Sequence, residues 1–454
     1  MVGRAIREII RGFGLAPSSI VILAFSLAAG FAMFSFDPNP RTVVLCILGA
    51  ATLVGLLVYP ELALALYVVA GDIKGDDHIG SILPWDLTLV LGAILLAGMV
   101  LNVVRRKRIV RMPSAYYLLV ALVAMMTASL SHTPVFEGGL EKLARFLTVT
   151  GIVIVAPFLV LTTSRAMQRF LVGVGALVFG ICSLSLSGLH GSERLVSPSE
   201  NTIGLGHVAC IACALIWIGV LPRYSMPKRM FVYLLFFVPL VALIGSGSRG
   251  PVIAFGTVVV ASLVLNWRRL FDLLCLGALG IVAMPFVKVP QPSLEYLGSM
   301  LSGRSLSTLM DFRAELLDYG WKLLQQHPML GTGINGYRHY SPNSALYKWP
   351  HNIFLEVACE LGIPAGLIVC ALFASALRES WRQLKDKLSP QYEFSQLAVA
   401  LLAIGIVNAM NTGDINSDRS TWLFVSLVFV VRSVRLAPAE RIGAVTGLTR
   451  PALA

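Results

Sequence analysis

Residues 202–221 read TIGLGHVACIACALIWIGVL, a run without a single Asp, Glu, Lys or Arg. A helix that crosses a bilayer needs ~20 mostly apolar residues, and this stretch supplies them. Comparable runs lie near 18–36, 41–58, 85–101, 115–131, 146–162, 170–188, 230–246, 251–266, 270–287, 353–377, 395–411 and 420–434, with a shorter one at 60–71 after Pro60. Hydropathy then predicts about 12–14 transmembrane helices. Composition agrees: of 454 residues, 56% are hydrophobic and 13% charged, and the mean hydropathy is +0.78. Soluble domains carry about 25% charged residues, and folding so much apolar sequence in water would leave wide greasy surfaces. The formal net charge of +12 does not signal a nucleic-acid partner, because the basic residues fall in short clusters between apolar runs. The chain reads as an all-α polytopic membrane protein whose solvent is lipid.

Lys and Arg collect in cytoplasmic connections. Most of the 36 basic residues sit in alternate loops: Arg4 to Arg11, Arg105 to Arg111, Arg165 and Arg169, Arg223 to Arg229, Arg268 and Arg269, Arg378 to Lys387, and Arg432 onward. Both termini are therefore expected in the cytoplasm, provided that 60–71 also crosses. All seven histidines then fall on or near the outer face, with Arg249, Arg304, Arg313 and Arg338. Three regions follow: an N-terminal bundle over 1–287, an outer loop over 288–350, and C-terminal helices with a cytoplasmic tail over 351–454. The first run has no small-residue cleavage pattern and reads as a retained helix. The seven cysteines lie in apolar segments and act as small hydrophobes. Cys210 and Cys213 have CxxC spacing but no second ligand pair, so neither zinc nor a disulfide is expected.

Within the outer loop, Leu309, Phe312, Leu316, Tyr319 and Leu323 step by three and four, one apolar face of a helix that Pro328 ends. Such a helix would lie on the membrane surface or roof the bundle. A glycine-rich turn follows, Gly331-Thr332-Gly333-Ile334-Asn335-Gly336-Tyr337, where backbone can approach a ligand closely. The next span opens at His351-Asn352, a helix start with unpaired N–H groups. Each piece has a plain alternative: Arg249 a snorkelling interfacial residue, Arg313 a solvated helix position, His351 an interfacial histidine, the glycines merely a turn. Glu356 and Glu360 stand at i and i+4 inside a span, where carboxylates are costly and mark a paired or functional position. A structural pairing with one of the arginines is their plain alternative.

In combination these pieces are more specific. Pro328-Met-Leu-Gly331-Thr-Gly333, then His351-Asn352-Ile-Phe-Leu355-Glu356 and Glu360-Leu-Gly362-Ile363, resembles the signature of the bacterial O-antigen ligase/polymerase family. Ser246-Gly247-Ser248-Arg249-Gly250 is similar to that family's Ser-Arg-Gly step, and Arg313 occupies its further arginine position. A tryptophan often follows that arginine by four residues; here Leu317 stands there and Trp321 comes later. The resemblance covers about 245–370 and implies a GT-C-like glycosyltransferase of the bacterial inner membrane. It would act at the periplasmic face, inverting the anomeric centre without metal or other cofactor. The implied donor is a glycan on undecaprenyl diphosphate; the acceptor is the sugar of lipid A-core for a ligase, or another lipid-linked glycan for a polymerase.

The side chains suit that chemistry independently. Guanidiniums grip phosphate oxygens in pairs and stay charged at any working pH, which assigns Arg249 and Arg313 to the diphosphate with Arg338 assisting. His351, with an unperturbed pKa near 6.5, is the expected general base. Asn352, Glu356, Glu360, Gly331, Gly333 and Tyr337 are the expected substrate-binding set, the glutamates orienting the histidine or an arginine. A transporter also needs many spans and some buried charge, but it commonly shows paired repeats, and none is visible here. Asp76-Asp77 and the Asp414 to Asp418 loop resemble outer acidic pairs of metal-dependent enzymes, though short acidic loops are usually just solvated. Between ligase and polymerase the outer loop tips the reading toward the ligase.

Overall fold

The computed structural model describes residues 26, 28–29, 40–73, 86–106, 112–187, 193–199, 201–283, 289–302, 306–341, 349–411 and 414–434. Among these the chain is helical, with no strand: α1 (Pro40–Val58), α2 (Pro60–Ile73), α3 (Leu87–Arg106), α4 (Tyr117–Ser129), α5 (Phe136–Arg145), α6 (Gly151–Val160), α7 (Ser164–Ser185), α8 (Thr202–Ala214), α9 (Met226–Gly245), α10 (Arg249–Leu265), α11 (Arg269–Ala283), α12 (Gln291–Ser302), α13 (Leu306–Gln326), α14 (Gly336–Tyr340), α15 (Ile353–Leu361), α16 (Ile363–Lys385), α17 (Tyr392–Asn411) and α18 (Arg419–Val431). Single π-helical turns at Phe146–Thr150 and Leu215–Val220 continue α5 into α6 and extend α8. The all-α polytopic class holds.

Seven helices among the described residues are long and apolar enough to cross a membrane, or eight if α1 and α2, which meet at 108°, form one broken span. The expectation of 12–14 exceeds this for identifiable reasons. The run at 18–36 lies almost wholly outside the described residues, as do both termini. Those near 115–131, 251–266 and 420–434 form shorter apolar helices, Ser114–Ser129, Arg249–Leu265 and Arg419–Val431. The run at 353–377 is cut at Gly362, whose φ of +87° a helix cannot continue. In the opposite sense, the span expected from residue 146 starts at Phe136, because FEGGLEKLAR turns Gly139 and Leu143 inward and is helical too.

Apolar burial sets the packing order. α8 and α18 present buried residues around nearly their whole circumference, the mark of helices enclosed by other helices. α17 packs on both α18 and α10, α8 on α7, α9 and α10, and α2 on α3 and α7. Interhelical hydrogen bonds pin the interior: Tyr116 to Ser426 at 2.6 Å, and Trp217 Nε1 to Ser262 Oγ at 2.8 Å. In lipid such bonds average about 0.6 kcal/mol each, so close packing carries most of the association.

Helix direction sorts the polar residues into two ends. At one end, basic residues of the predicted cytoplasmic clusters meet acids: Arg169 with Glu61, Arg223 with Glu393 at 2.8 Å, Arg229 with Asp272 at 3.2 Å, and Arg432 with Glu379 at 3.4 Å. At the other end lie the starts of α8, α10, α15 and α18 and the end of α17. Printed in the amphipathic pattern of the outer loop, α13 lays Leu316, Leu323 and Leu324 on Tyr337 and Cys359. The helix α12, which the apolar spacing did not announce, packs beside α9.

Leu323→Ala removes a side chain that is 4% exposed in this small satellite core. A loss of about 2–5 kcal/mol is expected, read as faster proteolysis of the α13 segment while the membrane bundle stays resistant.

Candidate functional site

The site is built round α15. Asn352 caps it, its Oδ1 accepting from Leu355 N–H at 3.0 Å, while its Nδ2 donates to the Met410 carbonyl at the end of α17. Glu356 and Glu360, one turn apart on the inner face, are 1% and 3% exposed. Both meet the same cation: Lys142 Nζ lies 2.6 Å from Glu356 Oε1 and 2.6 Å from Glu360 Oε2. Glu356 Oε2 also accepts from Ile415 N–H at 3.0 Å, and Glu360 Oε2 from Asn335 N–H at 3.0 Å. Asn416 Nδ2 donates to the Lys142 carbonyl at 2.9 Å, and its Oδ1 accepts from Thr150 at 3.3 Å. One lysine and two carboxylates thus join α5, the glycine turn, α15 and the turn before α18.

The glycine turn closes on the chain itself. Thr332 and Gly333 N–H donate to the carbonyls of Cys359 and Glu360, both at 2.9 Å, and Ile363 N–H donates to Pro328. The first two satisfy carbonyls that the end of α15 leaves open. Gly331 and Gly333 have φ of +67° and +85°. A Cβ on Gly331 would strike the Glu360 carbonyl, and one on Gly333 would strike Thr133. On α5, Gly138 and Gly139 stand one turn before Lys142, where any Cβ would meet Asn335 and Ile334. Tyr337 is wholly buried; its hydroxyl donates to the Leu316 carbonyl at 3.0 Å and its ring meets Tyr319 edge-on. Arg338, the next residue, is exposed.

His351 holds φ at +55°, a left-handed value that a non-glycine residue adopts at a cost. Its Nδ1 accepts from Trp349 Nε1 at 3.2 Å. In the neutral ring that bond places the proton on Nε2. Arg249 opens α10 beyond the turn Ser246-Gly247-Ser248, where Gly247 has φ of +63°. Arg194 braces that turn, Nε donating to the Ser246 carbonyl at 2.8 Å and Nη2 to Ser248 Oγ at 3.4 Å. The backbone of Arg313 belongs to α13; its side chain lies outside the described residues, as does that of Arg304.

A chain of contacts runs along this end of the bundle. Ser248 Oγ donates to the Thr202 carbonyl at 2.9 Å, Gly204 abuts Asp72, and Gly71 abuts Arg419 at the start of α18. From Arg419 the 414–418 turn leads to Glu356. Asp414 and Asp418 cap their own turn: Asp414 Oδ1 accepts from Asn416 and Ser417 N–H, and Asp418 from Thr421. Asp76 and Asp77, with His78 and His190, lie outside the described residues. Among the described residues the glutamates' charged partner is thus a lysine and not an arginine. Lys142 and Arg194 went unread in the sequence, although Gly138, Gly139 and Lys142 already shared a helix face by their spacing.

Comparison adds one finding. Residues 233–370 match the family model described as O-antigen ligase, and no curated protein matches the chain. The match takes in Arg249, Arg313, the glycine turn and α15; Lys142, Arg194 and the 414–417 turn lie outside it.

Lys142→Met leaves two buried carboxylates without their cation and is expected to cost about 3–5 kcal/mol. Adding Glu356→Gln and Glu360→Gln should recover more than half of that loss. Unfolding of the purified protein in detergent measures both. A triple variant no more stable than the single one would show that the ion cluster is not what Lys142 holds.

Proposed function

We propose the following reaction from the match of residues 233–370 to the O-antigen ligase family model. The chain is an O-antigen ligase/polymerase-type membrane glycosyltransferase, and the proposed member of that class is the ligase. It moves a glycan from undecaprenyl diphosphate to a sugar of lipid A-core at the periplasmic face of the inner membrane. The observation that carries this reading is the assembly of the family's motif residues on α15 and the turn docked to it, at the bundle end where α10 presents Arg249.

In the proposed step an acceptor hydroxyl oxygen attacks the anomeric carbon from the face opposite the diphosphate. The glycosyl–oxygen bond breaks with its electron pair going to the leaving phosphate, and the configuration inverts. Arg249, Arg313 and Arg338 neutralise the charge growing on the diphosphate; losing one such preorganised donor typically costs about 2.7–4 kcal/mol. His351 takes the hydroxyl proton. Because its Nδ1, the acceptor nitrogen of the neutral ring, faces Trp349, the base step needs that bond released so that Nδ1 takes the proton. Glu356 and Glu360, tied to Lys142, hold α15 so that His351 and Asn352 stand at its mouth. Gly331, Gly333 and Tyr337, buried against α15 and its neighbours, act on the sugars only indirectly, by fixing the turn that docks on α15. With guanidiniums meeting the anionic leaving group, the reaction calls for no metal.

His351→Gly is the sharpest variant, because glycine adopts the local φ without strain. It should fold as well as the native chain yet lose transfer by ~10²–10⁴-fold, the usual share of a general base. Arg249→Ala should lower transfer by about 10²-fold or more. Both are measured with purified protein, a glycan on polyprenyl diphosphate and a core acceptor, in EDTA. Full transfer by both variants would sink the assignment.

Deleting the gene separates the two roles. Lipid-linked polymer accumulating, with core bare on a gel, indicates the ligase; chains stopped at one repeat indicate a polymerase.

A further inference from the structure

At the end of the bundle away from the Lys142 cluster, α2 and α7 enclose a groove of about 370 Å³. Its lining includes Leu62 on one side and Arg165, Gln168, Arg169, Val172 and Ala176 on the other. These residues of α7 fall at i, i+3, i+4, i+7 and i+11, one face of the helix. Arg165 and Arg169 stand in the first turns of the candidate span Ser164–Ser185, at the membrane boundary. Val172 lies about 10 Å and Ala176 about 16 Å further along the axis at the helical rise, inside the hydrocarbon. The groove is therefore cationic at its mouth and apolar along its length.

The two arginines are not equivalent. Arg169 is paired with Glu61, itself 2% exposed, and lies over the Tyr59 ring at 4.9 Å from its centroid. That pairing holds the first turn of α2 against α7 and cancels one charge. Arg165 is exposed, and no acid among the described residues pairs with it. The mouth thus carries one uncompensated positive charge beside a second guanidinium and the Gln168 amide. Basic pockets between spans at the end rich in Lys and Arg suit lipid phosphates. A close approach of Gly173 to Leu62 and Ala65 forms the floor.

We propose that this groove holds an anionic diacyl phospholipid of the phosphatidylglycerol type. The phosphate sits against Arg165, with Gln168 and Arg169 beside it, and one acyl chain follows Leu62, Val172 and Ala176. One net positive charge meets one negative phosphate. The bound lipid braces the α2–α7 contact from the membrane side. This inference is independent of the glycosyl-transfer reading.

The test uses the full chain in nanodiscs of equal parts phosphatidylglycerol and phosphatidylcholine, released for native mass spectrometry of the retained lipid. The native chain should retain phosphatidylglycerol over phosphatidylcholine. Arg165→Gln should lower that preference about fivefold, the effect of one interfacial charge, while Arg165→Lys keeps it. Val172→Trp, with both arginines intact, should fill the groove and reduce the retained lipid. Both positions are exposed, so neither change threatens the fold. Native retention by Arg165→Gln or by Val172→Trp overturns the proposal. Displacement of the lipid by soluble glycerol phosphate at equal concentration also overturns it, since the site would then read the headgroup alone.

Discussion

Two buried glutamates and the partly buried lysine between them are the constraint on which this end of the bundle depends. Taking charges out of water costs several kcal/mol per ion, and only close, well-bonded partners offset it. Lys142 meets that condition with two contacts of 2.6 Å, and the backbone N–H groups of Ile415 and Asn335 complete the set. The four segments so joined lie far apart in the chain. A shift of any one would strand a buried charge, so their relative placement is held far more sharply than apolar contact alone would hold it. Non-polar packing tolerates sliding; a carboxylate between a lysine and an amide does not.

The glycines serve the same end. Carbonyls at the C-terminus of α15 would be orphaned at a buried break, and the turn at Gly331 to Gly333 brings N–H groups to them. That requires backbone against backbone, closer than any Cβ allows. Sequence spacing pointed to glycines that admit close approach. The structure shows that what approaches them is the protein's own helix and Thr133, and through that docking they set where α15 begins and ends.

Legibility followed the period of the signal. Apolar runs and the three–four stepping of Leu316, Tyr319 and Leu323 announce helices whatever their neighbours, so the all-α class and α13 could be read directly. Span ends were less legible. FEGGLEKLAR has too little mean hydropathy to look like membrane, and only packing against the 331–336 turn reveals why it is helical. Lys142 was hidden for that reason: one lysine among charged neighbours looks solvated until its carboxylate partners, over two hundred residues away, are brought to it. Glu356 and Glu360 could be marked as costly because the cost is local to their helix; the identity of their partner is tertiary information. Arg194 is hidden likewise, since its hydrogen bonds go to the backbone and side chain of a turn in another segment.

The lysine's engagement also bears on the proposed chemistry. A site that binds a diphosphate needs cations whose charge is available to the ligand. Lys142 stands between two carboxyl groups, so its charge is engaged within the cluster and cannot serve the leaving group. Under the proposed reading the leaving group must therefore lie on the Arg249 side, away from Glu356 and Glu360. The acceptor hydroxyl would then approach from the side of α15, where His351 stands as the proposed base. Placing the base at the acceptor and the guanidiniums at the donor would separate the positive charge developing on the imidazole from the negative charge developing on the leaving phosphate. The buried glutamates would serve that separation by fixing the helix at whose start His351 stands.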